Sequence, residues 1–358
     1  MQVDLPLMHR IGLLAVVILL VALAAGLSAS ERYVAVDNVC AWPNLTVLPN
    51  GDLTAAIFNH PSHGLAEGDV EVWASSDGGK LWELRGAATT HDPGTNRMNV
   101  AAGLAHNGDL VVLASGWGGT GFRRKILPVM VNRSSDGGRT WRRSFGVELP
   151  QGLSYLIPFG DIVLMESGML AAPFYQEDRD LSSGKRPQVR KGSAYLLFSK
   201  DDGRTWGDGV VLARDDYNET SVLRIRPDRW LAAVRTYRDG HLELFESSNE
   251  GKTWKNAGPL TLPSHHPAHL LQLDDGRILL TYGIREKGHQ GVGMRISEDE
   301  GKTWKAPTRV VNLEGTTDGG YPSTVQLPDG SLLTAYYSNG IPQHRRYHMG
   351  VVRWKLSD

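Results

Sequence analysis

The sequence predicts an all-β chain folded as a six-bladed β-propeller, and two observations carry that prediction. Five copies of S-x-[D/N]-x-G-x-[T/L]-W occupy residues 75–82, 134–141, 199–206, 247–254 and 297–304. Their starts lie 59, 65, 48 and 50 residues apart, enough chain for one four-stranded sheet per copy. The second observation is a set of six inner hairpins, each an apolar run, a turn and another apolar run, against only five boxes.

Each box has the chemistry of a tight turn between two strands. Its Asp accepts hydrogen bonds from nearby backbone N–H groups, its Gly takes a positive φ, and its Trp anchors the following strand. Asn249 keeps the side-chain acceptor in the fourth copy, and Leu81 replaces Thr in the first. The boxes are expected to be structural.

The N-terminal residues 1–30 stand apart. Arg10 precedes an apolar run over 11–27, followed by Ser28-Ala29-Ser30, which reads as a secretory signal peptide. An uncleaved membrane anchor is the alternative, since about 17 apolar residues sit at the lower edge of a spanning length. Either way residues 31–358 are expected to form one exported domain, periplasmic or extracellular. A net charge of −1 gives no sign of nucleic-acid binding or of attraction to an anionic membrane. Cys40 is the single cysteine, so no intrachain disulfide forms, and it reads as a small buried residue.

The inner hairpins fall at 41–58, 96–114, 155–174, 219–237, 266–285 and 321–337, with the third least regular. The last blade lacks a box and ends in residues 348–356. The strand around Tyr33 to Val36 is expected to complete its sheet, closing the ring and removing the free edges.

Boxes between third and fourth strands define one face, so first-strand starts and second-strand ends define the opposite one. First-strand starts supply Trp42, Arg97, Tyr155, Glu219, His266 and Tyr321. Second-strand ends and their loops supply His60, His63, Glu67, Asp69, Trp117, Arg123, Tyr175, Gln176, Arg235, Tyr237, Arg285, Tyr337 and His344. Guanidinium groups gathered with carboxylates and tyrosines suit an anionic sugar, because they stay charged and grip a carboxylate in a fixed plane.

These boxes resemble the Asp-boxes, or BNR repeats, of the sialidase superfamily, over nearly all of residues 31–358. The resemblance implies an exo-α-sialidase-like glycoside hydrolase that releases a terminal acidic sugar with retention through a Tyr nucleophile. Tyr321, opening the sixth hairpin ahead of Asp329-Gly330, matches that nucleophile, and Glu219 matches the carboxylate beside it. Arg235 and Arg285 match two members of the family's carboxylate clamp. The proton donor is an Asp in the first blade's loop, where Asp69 stands with Glu67, His63 and His60 as competitors. Sialidases carry Arg-Ile-Pro at the first blade's first strand, whereas this chain has Ala41-Trp42-Pro43. Arg97 and Tyr237 are further candidates for substrate contact, Arg97 as the replacement for the missing arginine.

No cofactor and no metal are expected: alternation along a strand sends His265 and His266 to opposite faces. Asn44, Asn132 and Asn218 sit in glycosylation patterns. The expected partner is a glycan or glycoconjugate ending in an acidic sugar, with no nucleic acid and no membrane contact beyond an N-terminal anchor. A propeller glycosidase for a uronic acid or deoxy sugar, and a noncatalytic glycan-binding propeller, remain as alternatives.

Overall fold

The computed structural model describes residues 31–119, 125–180 and 188–356, so the signal or anchor segment and Arg123 lie outside the described residues. Six antiparallel sheets form the six blades, and no helix occurs among the described residues. Blade one is Cys40–Val47, Leu53–Phe58, Val70–Ser75 and Glu83–Ala87, paired in that order. Blades four and five repeat the scheme from Tyr217–Arg226 to Lys255–Pro259 and from His265–Gln272 to Thr308–Asn312. The sixth combines Gly319–Gln326, Leu332–Ser338 and His348–Trp354 with Glu31–Asp37 as its outermost strand. Tyr33 pairs with Val351 and Val36 with Met349, so the chain's two ends close the ring in one sheet.

Alternation along these strands sends side chains to both sheet faces, and each face packs on a neighbouring blade. Six apolar clusters result among the described residues, one at every seam. In one of them, Leu231, Ala233 and Leu242 of blade four meet Leu270, Leu280 and Tyr282 of blade five.

The boxes fasten the seams from below. Ser75 Oγ donates to Asp77 Oδ1 and accepts from the Gly79 amide, while Trp82 Nε1 donates to Gly79 O. The remaining four boxes repeat these contacts with their own residues. Gly301 takes φ +84°, and a Cβ there would lie 2.5 Å from Leu231 of the preceding blade. The turn therefore needs glycine for its backbone and for its fit.

Blade three departs from the pattern in a way that shapes the centre. Its inner segment turns into the channel, where Gly160 and Asp161 pair in parallel with Ala101 and Ala102 of blade two. Asn44 of blade one donates to Gly160 O and Asp161 Oδ1, and His269 of blade five meets Asp161 Oδ2 at 2.9 Å. A cavity of only about 20 Å³ remains among Asn44, Phe159, Asp161, His269 and Tyr321. The channel is plugged beneath the face opposite the boxes.

Candidate active site

The inner strands present side chains at that mouth through one repeated device. Pairing between first and second strands slips between Cys40 and Asn44, Tyr217 and Thr220, His265 and Ala268, and Gly320 and Ser323. A bulge re-aims the side chain at its end of a strand. At three bulged positions a non-glycine residue takes a left-handed conformation, Ala41 at φ +54°, Trp42 at +53° and Tyr321 at +54°. Such conformations cost of order 1–3 kcal/mol each and persist where packing enforces them. Trp42 and Tyr321 are both buried, with ring centroids 5.4 Å apart.

Tyr321, Glu219 and Arg235 form one hydrogen-bonded unit. The Tyr321 hydroxyl lies 2.8 and 3.1 Å from the two Glu219 carboxylate oxygens. Arg235 Nη1 donates to Glu219 Oε2 at 2.5 Å and to the Tyr321 oxygen at 3.1 Å. Burial and the Glu219 charge push the Tyr321 phenol up, against the opposing pull of Arg235 and Arg285. The phenol is therefore held neutral with a carboxylate in place to take its proton.

Arg285 stands over the Tyr321 ring, its guanidinium carbon 5.5 Å from the centroid. Its Nη1 donates to Gly319 O and its Nη2 to Asp318 Oδ1, at 2.7 and 2.8 Å. Asp318 also accepts from the Tyr337 and Tyr347 hydroxyls, each at 2.8 Å, and its Oδ2 lies 2.7 Å from His63 Nδ1. Burial alone would raise this carboxyl, but the His63 hydrogen bond and the neighbouring positive charges hold it far below the usual range. His266 is buried with its imidazole driven well below its ordinary value by desolvation and by Arg235 and Arg285. Phe159 closes the floor, 6.0 Å from the Tyr321 ring.

The structure brings Tyr321, Glu219, Arg235, Arg285 and His63 together with Trp42, His266 and Tyr337, and places Asp69, Glu67, Arg97 and Tyr237 elsewhere. Asp69 accepts from Thr89 Oγ1 at 2.9 Å and pairs with His91 Nδ1 at 2.8 Å, while Glu67 accepts from the Gly94 amide and lies 3.7 Å from His91 Nε2. Both sit on the rim between blades one and two. Arg97 does not replace the missing arginine: it donates to Pro128 O at 2.5 Å and lies over the Phe145 ring. Tyr237 donates to Glu177 Oε1 at 2.6 Å at the seam of blades three and four, with its phenol raised by burial and by that carboxylate. Ala41 stands where the missing arginine would be, with Trp42 next to it against the Tyr321 ring. Asp318, Tyr347 and Phe159 went unread in the sequence; only the closeness of Asp318 to Tyr321 offered a signal.

Among the described residues no group of three or more His, Cys, Asp or Glu side chains could hold a metal ion. Asn44, Asn132 and Asn218 are all buried, so none offers its amide to a glycosylating enzyme in the folded domain. Cys40 is buried as well.

Fold and site together define an Asp-box propeller with a polar pocket at one mouth of a plugged channel. Residues 51–334 match the BNR repeat-like domain, and the chain belongs to that family, within the sialidase superfamily of BNR propellers. It is 24% identical over 349 residues to a sialidase from Micromonospora viridifaciens, a match covering 86% of this chain and 52% of the relative. The chain thus spans about half the length of that protein. A crystal structure of a protein of unknown function from Dyadobacter fermentans superposes with a TM-score of 0.74 at 23% identity, covering 91% of this chain and 98% of that one. The Hadza microbial sialidase Hz136 superposes with a TM-score of 0.69 at 20% identity, over 90% of this chain and 66% of the other. At these identities the structural likeness is one of fold.

Proposed function

We propose that the protein is a retaining glycoside hydrolase that removes a terminal sugar through a covalent intermediate on Tyr321, with a sialic-type acidic sugar as its substrate. The observation that carries this reading is the Tyr321–Glu219–Arg235 unit. A neutral phenol attacks poorly, and a carboxylate hydrogen-bonded to it removes the proton as the oxygen bonds to the anomeric carbon. Water then attacks the same carbon as the Tyr321 oxygen–carbon bond breaks, giving its proton to the base that had protonated the leaving oxygen, and the phenolate recovers its proton from Glu219. Arg235 and Arg285 offset the charge that develops on the phenolate, and a phenol avoids the repulsion that a carboxylate nucleophile would meet from a substrate carboxylate. Filling of the channel by Asp161 with Asn44 and His269 supports removal of terminal sugars, since the pocket then opens at one mouth. The domain is proposed to act after export, on the strength of residues 1–30.

The test is release of 4-methylumbelliferone from its α-N-acetylneuraminide by the purified domain, with the first-formed anomer followed by NMR. Turnover with retention is expected, and a Tyr321→Phe variant should lose it. Equal rates for the two proteins would remove Tyr321 as nucleophile. A second reading, a glycosidase for another sugar, is favoured by one observation: Ala41 stands where the third arginine would be, while Gly319 O and Asp318 occupy Arg285. Activity confined to uronides or deoxy glycosides in a panel of aryl glycosides would select it. Binding of sialyllactose without turnover would select a glycan-binding propeller instead.

A further inference from the structure

The proposed reaction requires a group that protonates the departing oxygen, and Asp69 and Glu67 are engaged at the rim. We infer that His63 is the general acid and base of this site and that Asp318 is the residue that positions it. The inference rests on the glycosidase reading above.

His63 rises from the loop after the second strand of blade one, where Gly64 at φ +74° turns the chain back. Its ring meets Trp42 edge-on at 5.5 Å and Tyr337 at 6.1 Å, and Trp42 and Tyr337 in turn lie 5.4 and 5.6 Å from Tyr321. The imidazole thus stands one ring away from the nucleophile, and its side chain is 28% exposed. The groups facing it include Asp318, Tyr337 and Tyr347 from blade six, Arg285 reaching Asp318 from blade five, and the uncharged Trp42.

Asp318 is suited to hold a histidine in one tautomer. Arg285, Tyr337 and Tyr347 all donate to its two oxygens, so it stays anionic and accepts from His63 Nδ1–H. That leaves Nε2 as the nitrogen that exchanges protons, the arrangement by which a buried carboxylate orients a catalytic imidazole. In the first step Nε2–H of the imidazolium passes to the glycosidic oxygen as its bond to the anomeric carbon breaks and the Tyr321 oxygen bonds to that carbon. In the second, neutral Nε2 takes a proton from water, whose oxygen bonds to the carbon as the Tyr321 bond breaks. Imidazolium and free enzyme are restored with no other reactant.

The test compares two substrates of unequal leaving group, 3′-sialyllactose and the 4-methylumbelliferyl sialoside, across wild type, His63→Ala, Asp318→Asn and Asp69→Ala. With His63→Ala, hydrolysis of sialyllactose should fall about 10³-fold and that of the aryl sialoside far less, because an activated leaving group departs without a proton. Added imidazole should restore part of the loss, and the alkaline limb of the kcat/KM profile should vanish. Asp318→Asn should move that limb to lower pH with little change in KM. Equal losses on both substrates, or the leaving-group dependence appearing in Asp69→Ala instead, would overturn the assignment. Loss of both activities in Tyr321→Phe with the His63 pattern absent separates this failure from failure of the nucleophile. If wild type cleaves neither substrate, the imidazole nitrogen signals in NMR still decide: a His63 tautomer left unmoved by Asp318→Asn overturns the dyad, and an Nδ1–H tautomer in wild type that is lost in that variant upholds it.

Discussion

Tyr321 combines three features that rarely coincide: a left-handed backbone, a buried phenol and a carboxylate within hydrogen-bonding distance. Glu219→Gln keeps the size and the hydrogen bond but cannot accept the phenolic proton. Under the proposed mechanism kcat on an aryl sialoside should fall about 10²- to 10⁴-fold, with KM changing much less. Glu219, Arg235 and Tyr321 were legible in the sequence because the hairpin rhythm assigns each to the mouth. Asp318 was not, since one Asp ahead of a strand looks like any turn residue. Arg97 shows the limit of that rhythm: its place in the hairpin is that of a first-strand start, but its guanidinium turns to Pro128 O and the Phe145 ring, partners the sequence does not announce.

At the scale of the element, the boxes were the most legible part of the chain, and their fit to the preceding blade was the least. Nothing in S-x-D-x-G-x-T-W says that the Gly rests on a leucine from another repeat. Gly301→Ala should destabilise the domain by about 2–4 kcal/mol, combining left-handed strain with the clash on Leu231. Gly330→Ala, at φ +76° with nothing within 4 Å, should cost about 1 kcal/mol, so thermal midpoints for the pair separate fit from strain. The boxes also link stability to pH. The Thr303 hydroxyl and amide hold the Asp299 carboxyl down to about 2, below an unfolded value near 3.9. A depressed folded value gives stability that is present above about pH 4 and lost as pH falls toward 2. Asn249 fills the same role without titrating, bonding Ser247 and Thr253. Asp299→Asn should therefore flatten the dependence of the midpoint on pH between about 4 and 2, measured by thermal melts across that range.

For the whole molecule, the closing strand is the element on which the ring depends. Six inner hairpins and five boxes implied a last blade completed from the other end of the chain, and Glu31–Asp37 fills that place. Removing residues 31–37 would uncover the edge of His348–Trp354 and one flank of the seam holding Val36 and Met349. Light scattering should then report association at concentrations where the full domain stays monodisperse. The channel plug, by contrast, was legible only as an irregularity of blade three, because its partners come from blades one, two and five.

The direction of that closing strand has a consequence for how the protein meets its surroundings. Glu31 pairs near Arg353, at the box end of the sheet, and Asp37 pairs with His348, at the mouth. Whatever is joined ahead of Glu31 attaches to the side turned away from Tyr321, and Trp354 ends on that same side. A surface holding the domain by either end would present its pocket outward, like a bowl set on its base. Biotin placed just ahead of Glu31 should leave the domain as active on a streptavidin bead as in solution, whereas attachment through a cysteine at Ser62 should block sialyllactose.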